Sequence, residues 1–327
     1  MIQLQKILYP TDFSRCAEQA LPYAILLARE FHAELHMLHA VVLFAEDPYN
    51  PAYHFPDKEE LFQKLNQLAT ERMAKLLEGV DTDDLSIKQV KRRGISAAEV
   101  ILEYAIEEDI NLIVMGTHGR RGLKRILLGS VAEEVLRKAP CPVLTVREQA
   151  EPRPANEIIH ILVPIDFSSY SQIALIHARE LAHRFGAKLQ LLHVIEDTEI
   201  HPAFYNAGVF SIRDLRPTIE EETKELLQRF YTTVPGPEVP VEYHVIYGRA
   251  TQEIPEFARQ HNSDLIVMST HGLTGLEAIL IGSVTEKVVR YAPCPVLTLK
   301  AFGKTLIPRE ELEKILAQAS SKEQTSS

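Results

Sequence analysis

Three glycines and a serine at fixed spacing carry the chemistry that this sequence suggests most clearly. Gly116 and Gly119 are separated by two residues, and Gly129 and Ser130 follow after nine more. Glycine can adopt positive φ and turn backbone N–H groups toward an anion, and a helix N-terminus attracts negative charge through its unpaired N–H groups. The pattern therefore predicts a phosphate-binding loop, in which the Ser130 hydroxyl could donate to a phosphate oxygen.

The residues around this loop predict the elements that hold it. An apolar run at 112–115 precedes the loop and a helix-like run at 131–136 follows it, which is the strand–turn–helix order of phosphate sites. Strand and helix patterns alternate along the chain, so we expect an α/β fold with a parallel sheet and helices on both faces. The first predicted strands lie near residues 5–10, 34–41, 86–92, 111–116 and 142–147, and the helices near 14–31, 58–79, 96–108 and 130–138.

The same organisation occurs a second time. Ser269, Gly272, Gly282 and Ser283 match the loop residues, and the offset between matching positions is 154 residues early in each copy and 153 late. An offset that changes by only one residue indicates two copies of one domain, each long enough for its own core. The predicted parts are a first domain at 1–147, a polar linker at 148–156, a second domain at 157–300 and a tail at 301–327, of which only 309–317 has a helical pattern and the end reads as disordered.

Asp12 is a second candidate for ligand binding. In an open α/β sheet, ligands bind beyond the carboxyl ends of the strands, where the strand order reverses. Asp12 follows the first strand, Ala40 the second and Gly116 the fourth, so we expect them to converge. The Asp12 carboxylate could accept a hydrogen bond from an adenine amino group or a ribose; alternatively, it caps the following helix.

Other polar residues of the loop have structural alternatives. Ser130 and Ser283 each precede a glutamate by three positions, which is also the pattern of a helix capping box. Capping would explain the serines but not three glycines at fixed spacing. We expect His118 and His271, which lie between loop glycines, to shape the loop, because neither has a base or nucleophile nearby in the sequence.

The histidines and cysteines do not predict a metal site. His32, His36 and His39 are close in sequence, but on a strand His36 and His39 point to opposite faces, and the second copy has Gln190 in place of His36. The three cysteines are too few and too far apart for a disulfide framework and read as buried thiols. We therefore predict no metal held by the protein itself.

Composition and charge narrow the possible functions. A net charge of −10 argues against nucleic-acid binding and means that an anionic ligand must be held by local dipoles and a few cations. Neither a signal-peptide pattern nor a membrane-length apolar run occurs, so we expect a cytoplasmic protein without membrane contact. P-loop and dinucleotide motifs and a dedicated Mg²⁺ cluster are also missing from the sequence, so any Mg²⁺ would be carried by the phosphates of a nucleotide.

Two further motifs accompany the glycine pattern, at residues 9–14 (Tyr-Pro-Thr-Asp-Phe-Ser) and 141–144 (Cys-Pro-Val-Leu), each with a counterpart in the second copy. In this combination, the chain resembles the universal stress protein family, in tandem, over nearly its whole length. The resemblance implies a five-stranded parallel sheet of order 3-2-1-4-5 in each copy, the adenine nucleotide alpha hydrolase-like fold, and binding of ATP.

The same resemblance implies the residues of two nucleotide sites. In the first copy it places Pro10, Thr11 and Asp12 around the adenine, Ala40 and Met115 along its pocket, and Gly116, Gly119, Gly129, Ser130 and Val131 at the ribose and phosphates. The matching positions of the second copy are Pro164, Ile165, Asp166, Val194, Met268, Ser269, Gly272, Gly282, Ser283 and Val284. It also implies that residues 143–146 pair with 296–299 as an intramolecular pseudo-dimer, which buries a sheet edge; a homodimer of two chains is a further possibility.

The second copy departs from the family pattern. Ser269 replaces the first glycine, and the basic run at 120–125 (Arg-Arg-Gly-Leu-Lys-Arg) has no basic counterpart at 273–278. Because Lys and Arg are strong phosphate partners, we predict that the two sites differ and that the first retains triphosphate better. Alternatively, the basic run is a solvated surface.

Three functions are compatible with the sequence. The leading hypothesis is a stress-response sensor or regulator that binds ATP with little or no turnover, because no general base is evident near the loop. The second is a slow ATPase or nucleotidyl-transfer enzyme on the same fold, although residues 9–14 lack the Ser-Gly-Gly type of pyrophosphate loop. The third is a scaffold that no longer binds nucleotide and acts through partner proteins.

Overall fold

A computed structural model of the chain describes residues 1–42, 58–119, 128–151, 155, 157–196, 212–270, 281–300 and 303–325. Contacts divide the chain into two compact units, one formed by Gln3–Asn156 and the other by Glu157–Ser327 with Met1–Ile2. We call these units the first copy and the second copy.

The first copy alternates strands and helices as predicted. Its elements are β1 (Lys6–Pro10), α1 (Arg15–Phe31), β2 (Glu34–Val42), α2 (Lys58–Leu76), β3 (Ile87–Gly94), α3 (Ala97–Glu107), β4 (Leu112–Gly116), α4 (Ser130–Lys138) and β5 (Val143–Val146). Hydrogen bonds place the strands in the order β3-β2-β1-β4-β5, all parallel. The predicted α/β class and strand order are therefore confirmed for this copy.

The second copy has the same architecture. Its elements are β6 (His160–Pro164), α5 (Ser169–Phe185), β7 (Lys188–Ile195), α6 (Ile212–Thr233), β8 (Val241–Tyr247), α7 (Ala250–Gln260), β9 (Leu265–Ser269), α8 (Ser283–Tyr291), β10 (Val296–Leu299) and α9 (Arg309–Thr325). Its parallel strands follow the order β8-β7-β6-β9-β10. This is the order of the first copy, with the added helix α9 after the last strand.

Burial explains why the central strands form. Every residue of β4 and of β9 is buried, as expected for parallel strands that are covered by helices on both faces. Strand β3 has no fully buried residue, as expected for an edge strand. Helix α1 packs on the sheet through a continuous apolar face, which includes Ala20, Ala24 and Ala28.

The strand order determines where a ligand can bind. Strand β1 pairs with β2 on one side and with β4 on the other, so the connections on its two sides run in opposite directions across the sheet. In open α/β sheets, ligands bind beyond the carboxyl ends of the strands at such a reversal of strand order. The second copy has the same arrangement between β6 and β9.

The predicted position of Ala40 after its strand is wrong. Strand β2 continues to Val42, and Ala40 pairs with Arg92 within the ladder. The β-branched residues at the end of β2 favour the extended conformation, which lengthens the strand. Because β1 ends at Pro10, opposite Leu38, Ala40 nevertheless lies beyond the end of β1.

The tail also differs from its prediction. Helix α9 does not end near Ala317 but continues to Thr325. The added residues include Lys322, Glu323 and Gln324 and lack glycine and proline, so their intrinsic preference allows the helix to continue. Leu306, Ile307 and Leu312 are buried, which anchors the start of the tail on the second copy.

Candidate functional site

The residues that follow β1 form a tight turn into α1. Asp12 Oδ1 accepts a hydrogen bond from the Ser14 N–H at 3.0 Å, and Ser14 Oγ accepts one from the Ala17 N–H at 3.3 Å. Ser14 is therefore the N-cap residue of α1, and the alternative that Asp12 caps the helix is wrong. The short Asp12 side chain closes an Asx turn two residues before the cap.

The structure brings Asp12 and the glycine loop together. A Cβ atom at Gly119 would lie only 2.6 Å from Asp12 Oδ2, which is closer than two such atoms can approach. Any side chain at position 119 would therefore displace the carboxylate. Gly119 itself is exposed, so this contact lies at the open edge of the sheet.

The loop glycines allow close packing and do not adopt positive φ. Gly116, Gly119 and Gly129 all lie outside the left-handed region, so the predicted anion nest built on positive φ is wrong. A Cβ atom at Gly116 would lie 2.9 Å from the carbonyl carbon and the Sγ of Cys16, so glycine is needed where α1 packs on β4. A Cβ atom at Gly129 would lie 3.0 Å from the Thr117 carbonyl oxygen, to which the Gly129 N–H donates at 2.8 Å.

Helix α4 begins at the loop without a side-chain cap. Its N-cap residue is Gly129, with φ −67° and ψ 143°, and the first intrahelical bond runs from the Glu133 N–H to the Gly129 carbonyl at 2.8 Å. Ser130 is thus the first helical residue, its side chain is exposed, and the capping-box alternative is wrong. The N–H groups of residues 130–132 precede the first intrahelical donor and point outward with the positive end of the helix dipole.

The second copy repeats both parts of this site. Asp166 Oδ1 accepts hydrogen bonds from the N–H of Ser168 at 3.1 Å and from its hydroxyl at 2.6 Å, and Ser168 is the N-cap of α5. Gly282 is the N-cap of α8, where the Glu286 N–H donates to its carbonyl at 3.0 Å. Ser283 is the first residue of α8, so the capping-box alternative is wrong here as well.

The other predicted residues occupy matching positions along this edge in both copies. Pro10 and Pro164 are the last residues of β1 and β6, and Thr11 and Ile165 follow them. Met115 and Met268 are buried in β4 and β9, whereas Ala40 and Val194 are half-buried in β2 and β7. Val131 and Val284 are the second residues of α4 and α8. Gly272, His271 and the loop segments 120–125 and 273–278 lie outside the described residues.

Sequence reasoning missed two residues that hold the Asp12 turn. Phe13 has a φ of 60°, and its ring centroid lies 4.6 Å from that of His39. His39 Nδ1 lies 2.8 Å from the Thr11 carbonyl oxygen, which can only accept, so Nδ1 carries the hydrogen. Both residues recur in the second copy, as Phe167 and His193, and that repetition is the signal that could have found them.

The first loop position differs between the copies because of local packing. In the first copy, the Cys16 thiol donates to the Val146 carbonyl at 3.4 Å, and burial raises the pKa of this thiol, so it stays protonated. In the second copy, Tyr170 stands in place of Cys16, and the Ser269 hydroxyl donates to the matching carbonyl, that of Leu299, at 3.3 Å. The serine hydroxyl thus bonds the carbonyl that the thiol bonds in the first copy.

The histidines of β2 have separate partners. His36 is fully buried, with Nδ1 2.7 Å from the Tyr104 hydroxyl and Nε2 3.1 Å from Glu34 Oε2. Among the described side chains, no group of three or more His, Cys, Asp or Glu could hold a metal ion. Within the same ranges, the helices are too short or too polar for any of them to cross a membrane.

Fold and site together define a class of protein. The chain contains a doubly wound α/β domain twice. In each copy, an Asx turn closed by an aspartate and a helix with a glycine N-cap lie at the topological switch point. The model of the universal stress protein family matches the chain at residues 3–147 and again at 158–300. The chain therefore belongs to the universal stress protein family, as a tandem member.

Individual proteins agree with this assignment. A universal stress protein of Mycobacterium tuberculosis is 29% identical over 213 residues, which cover 64% of this chain and 69% of that protein. One from Methanocaldococcus jannaschii is 35% identical over 147 residues, which cover 44% of this chain and 82% of that protein. The crystal structure of a universal stress protein from Archaeoglobus fulgidus has the same fold, with a TM-score of 0.64 and 23% identity over 91% of this chain and 98% of that one.

Proposed function

We propose that the chain binds ATP at the carboxyl edge of its first sheet and acts as a cytoplasmic stress-response sensor or regulator with little or no turnover. The observation that carries this proposal is the contact between Asp12 and Gly119 beside the uncapped N-terminus of α4. It joins a hydrogen-bond acceptor and a group of backbone donors at one open edge. An adenine nucleotide needs both, because its phosphates accept and its ribose and amino group donate.

The residues present fit such a ligand. The N–H groups of residues 130–132 and the Ser130 hydroxyl are donors for phosphate oxygens, and the helix dipole adds attraction for negative charge. Asp12 Oδ1 accepts from the Ser14 N–H, which orients the carboxylate, and Oδ2 lies beside Gly119 of the loop. A Cβ atom at position 129 would press on the Thr117 carbonyl oxygen at 3.0 Å, whereas glycine lets the helix end reach the loop without a side chain in between.

These groups are suited to holding a nucleotide in place. ATP would supply the anionic phosphates, and it would bring any Mg²⁺ with it. The protein's own contribution is positioning. Backbone amides at α4 hold the phosphates, and Asp12 favours ligands that can donate a hydrogen bond to its carboxylate. Such contacts bind the ground state, which is appropriate for a sensor.

The identity of the ligand can be tested directly. The purified full chain is denatured, the released small molecules are separated by chromatography, and the stripped and refolded protein is titrated with ATP by calorimetry. Release of ATP or ADP together with saturable binding is the expected result. No released nucleotide and no binding would overturn the proposal in favour of a scaffold, and phosphate release at the rate of an ordinary enzyme would overturn the claim of little turnover.

Ser130 offers a sharper test of the location. Ser130→Asp places a negative charge on the first residue of α4, where the dipole favours it, so the helix should stay intact while phosphate is repelled. We expect ATP affinity to fall at least tenfold, a loss of about 1.4 kcal/mol or more. Ser130→Ala, the matched control, removes only a hydroxyl and should weaken binding by roughly threefold to tenfold. Wild-type affinity in Ser130→Asp would place the ligand elsewhere.

A further inference from the structure

We propose that Phe13 and His39 form a clamp that positions the Asp12 carboxylate for its ligand, through the hydrogen bond from His39 Nδ1 to the Thr11 carbonyl. Phe167 and His193 form the same clamp at Asp166. The inference rests on the proposed function, because it assigns positioning residues to that same site.

Phe13 is the strained part of the clamp. Its φ of 60° lies in the left-handed region, where the Cβ of a non-glycine residue crowds the backbone. The Asx turn from Asp12 Oδ1 to the Ser14 N–H spans Phe13, so relaxation of this residue would open the turn and release the carboxylate. Such strain persists only where surrounding contacts hold it.

His39 supplies the holding contacts. Its Nδ1–H donates to the Thr11 carbonyl at 2.8 Å, one peptide unit before Asp12, and its ring is tilted by 40° against the Phe13 ring at 4.6 Å. The guanidinium carbon of Arg72, on α2, lies 5.7 Å from the centre of the same ring. The turn that follows β1 is therefore tied to β2 by the His39 bond, in addition to the backbone bond from the Thr11 N–H to the Leu38 carbonyl at 2.8 Å, and is covered by two side chains.

The second copy repeats the geometry although the neighbouring side chains differ. Phe167 has a φ of 60°, its ring lies 4.7 Å from His193 at 40°, and His193 Nδ1 lies 2.8 Å from the Ile165 carbonyl oxygen. Ile165 replaces Thr11, and Phe230 covers the Phe167 ring edge-on at 5.5 Å in place of a cation. Both copies thus keep the bond to the backbone carbonyl and the Phe–His ring contact.

The direction of this bond allows a selective test. An Asn amide nitrogen reaches nearly the position of Nδ1, whereas a Gln amide nitrogen reaches the position of Nε2. His39→Asn should therefore retain the bond to the Thr11 carbonyl, while His39→Gln and His39→Ala should lose it. We expect ATP affinity to fall roughly fivefold to tenfold in the Gln and Ala variants, as for a lost hydrogen bond, and by no more than about twofold in the Asn variant.

A second measurement needs no nucleotide. Hydrogen exchange of the Ser14 amide in the ligand-free full chain reports the Asx turn directly, and we expect it to accelerate about tenfold in His39→Ala and His39→Gln but little in His39→Asn. His193→Ala is the matched control and should leave the Ser14 amide unchanged. Unchanged Ser14 exchange in His39→Ala, or equal behaviour of the Asn and Gln variants, would overturn the clamp. If the wild type binds no ATP, the proposed function fails, and Ser14 exchange still decides the clamp.

Discussion

The first loop position is Gly116 in the first copy and Ser269 in the second. This difference in sequence follows from how the neighbouring residues pack. Gly116 allows Cys16 to approach β4, and the thiol bonds the Val146 carbonyl. Where Tyr170 removes that thiol, the Ser269 hydroxyl bonds the matching carbonyl. The exchange of glycine for serine is therefore compensated inside the domain and says little about the ligand.

Other differences between the copies lie closer to the site. Thr11 Oγ1 accepts a hydrogen bond from the Phe13 N–H at 3.0 Å, which Ile165 cannot reproduce in the second copy. The bonds from His39 and His193 to backbone carbonyls are the same in both. These bonds to backbone carbonyls have been kept although the residue at position 11 differs from its counterpart, because every residue type presents the same carbonyl.

The largest difference that we expect between the copies is in acid stability. Burial lowers the pKa of His177 to about 4, while Tyr23 occupies the matching position of the first copy. Below about pH 6.5 the unfolded chain binds a proton that the folded second copy does not, so its free energy of unfolding falls with falling pH, by roughly 3 kcal/mol at pH 4. Burial lowers the pKa of His244 as well, with Val90 as its counterpart, which adds in the same direction.

Hydrogen exchange with mass spectrometry, read on peptides of α1 and α5 between pH 7 and pH 5, separates the two copies. After correction for intrinsic exchange rates, the α5 peptides should lose protection first. His177→Gln, which stays neutral, should remove most of this dependence. Equal loss of protection in both copies of the wild type would contradict the prediction.

The difference in packing between Gly116 and Ser269 predicts the next largest effect, which is on the free energy of unfolding. Gly116→Ser places Cβ 2.9 Å from the Cys16 carbonyl carbon, a backbone atom that cannot move aside, so we expect the first copy to lose about 2 kcal/mol of stability. Ser269→Gly, the matched change, removes one hydrogen bond and should cost about 1 kcal/mol. Urea denaturation of both variants measures these values, and a fully stable Gly116→Ser would refute the packing explanation.

Introduction of a negative charge at the two helix starts tests whether the sites bind equally. Ser130→Asp and Ser283→Asp change matching exposed residues, each the first of its helix. We predict that Ser130→Asp removes the tighter of two calorimetric ATP sites, with at least tenfold weaker binding, and that Ser283→Asp affects a weaker one. Equal losses of affinity would mean that the predicted asymmetry is absent.

The smallest effect concerns the turn itself. Thr11→Val removes the bond from Thr11 Oγ1 to the Phe13 N–H and should destabilise the first copy by about 1 kcal/mol, with a few-fold weaker ATP binding. Ile165→Thr introduces the hydroxyl into the second copy, and there we expect no loss of ATP affinity. Thermal denaturation and calorimetry of both variants provide the comparison. An unchanged Thr11→Val would show that the clamp alone holds the turn.

Much of the fold could be predicted from the sequence, because hydrophobic period and repetition are local signals. The alternation of patterns indicated a parallel α/β sheet, and the nearly constant offset indicated two copies. The rule that ligands bind at the carboxyl ends of such strands also brought Asp12 and the glycine loop to the same edge, where the structure has them in contact.

The sequence alone therefore determined which residues lie at this edge, since strand ends follow from composition and spacing. Only the tertiary structure decided what those residues do there. Gly116 faces Cys16, which is distant in the chain, so no local pattern could show that the glycine is needed for packing and not for positive φ. The same holds for the bond from His39 to Thr11, because its geometry depends on the register of two neighbouring strands.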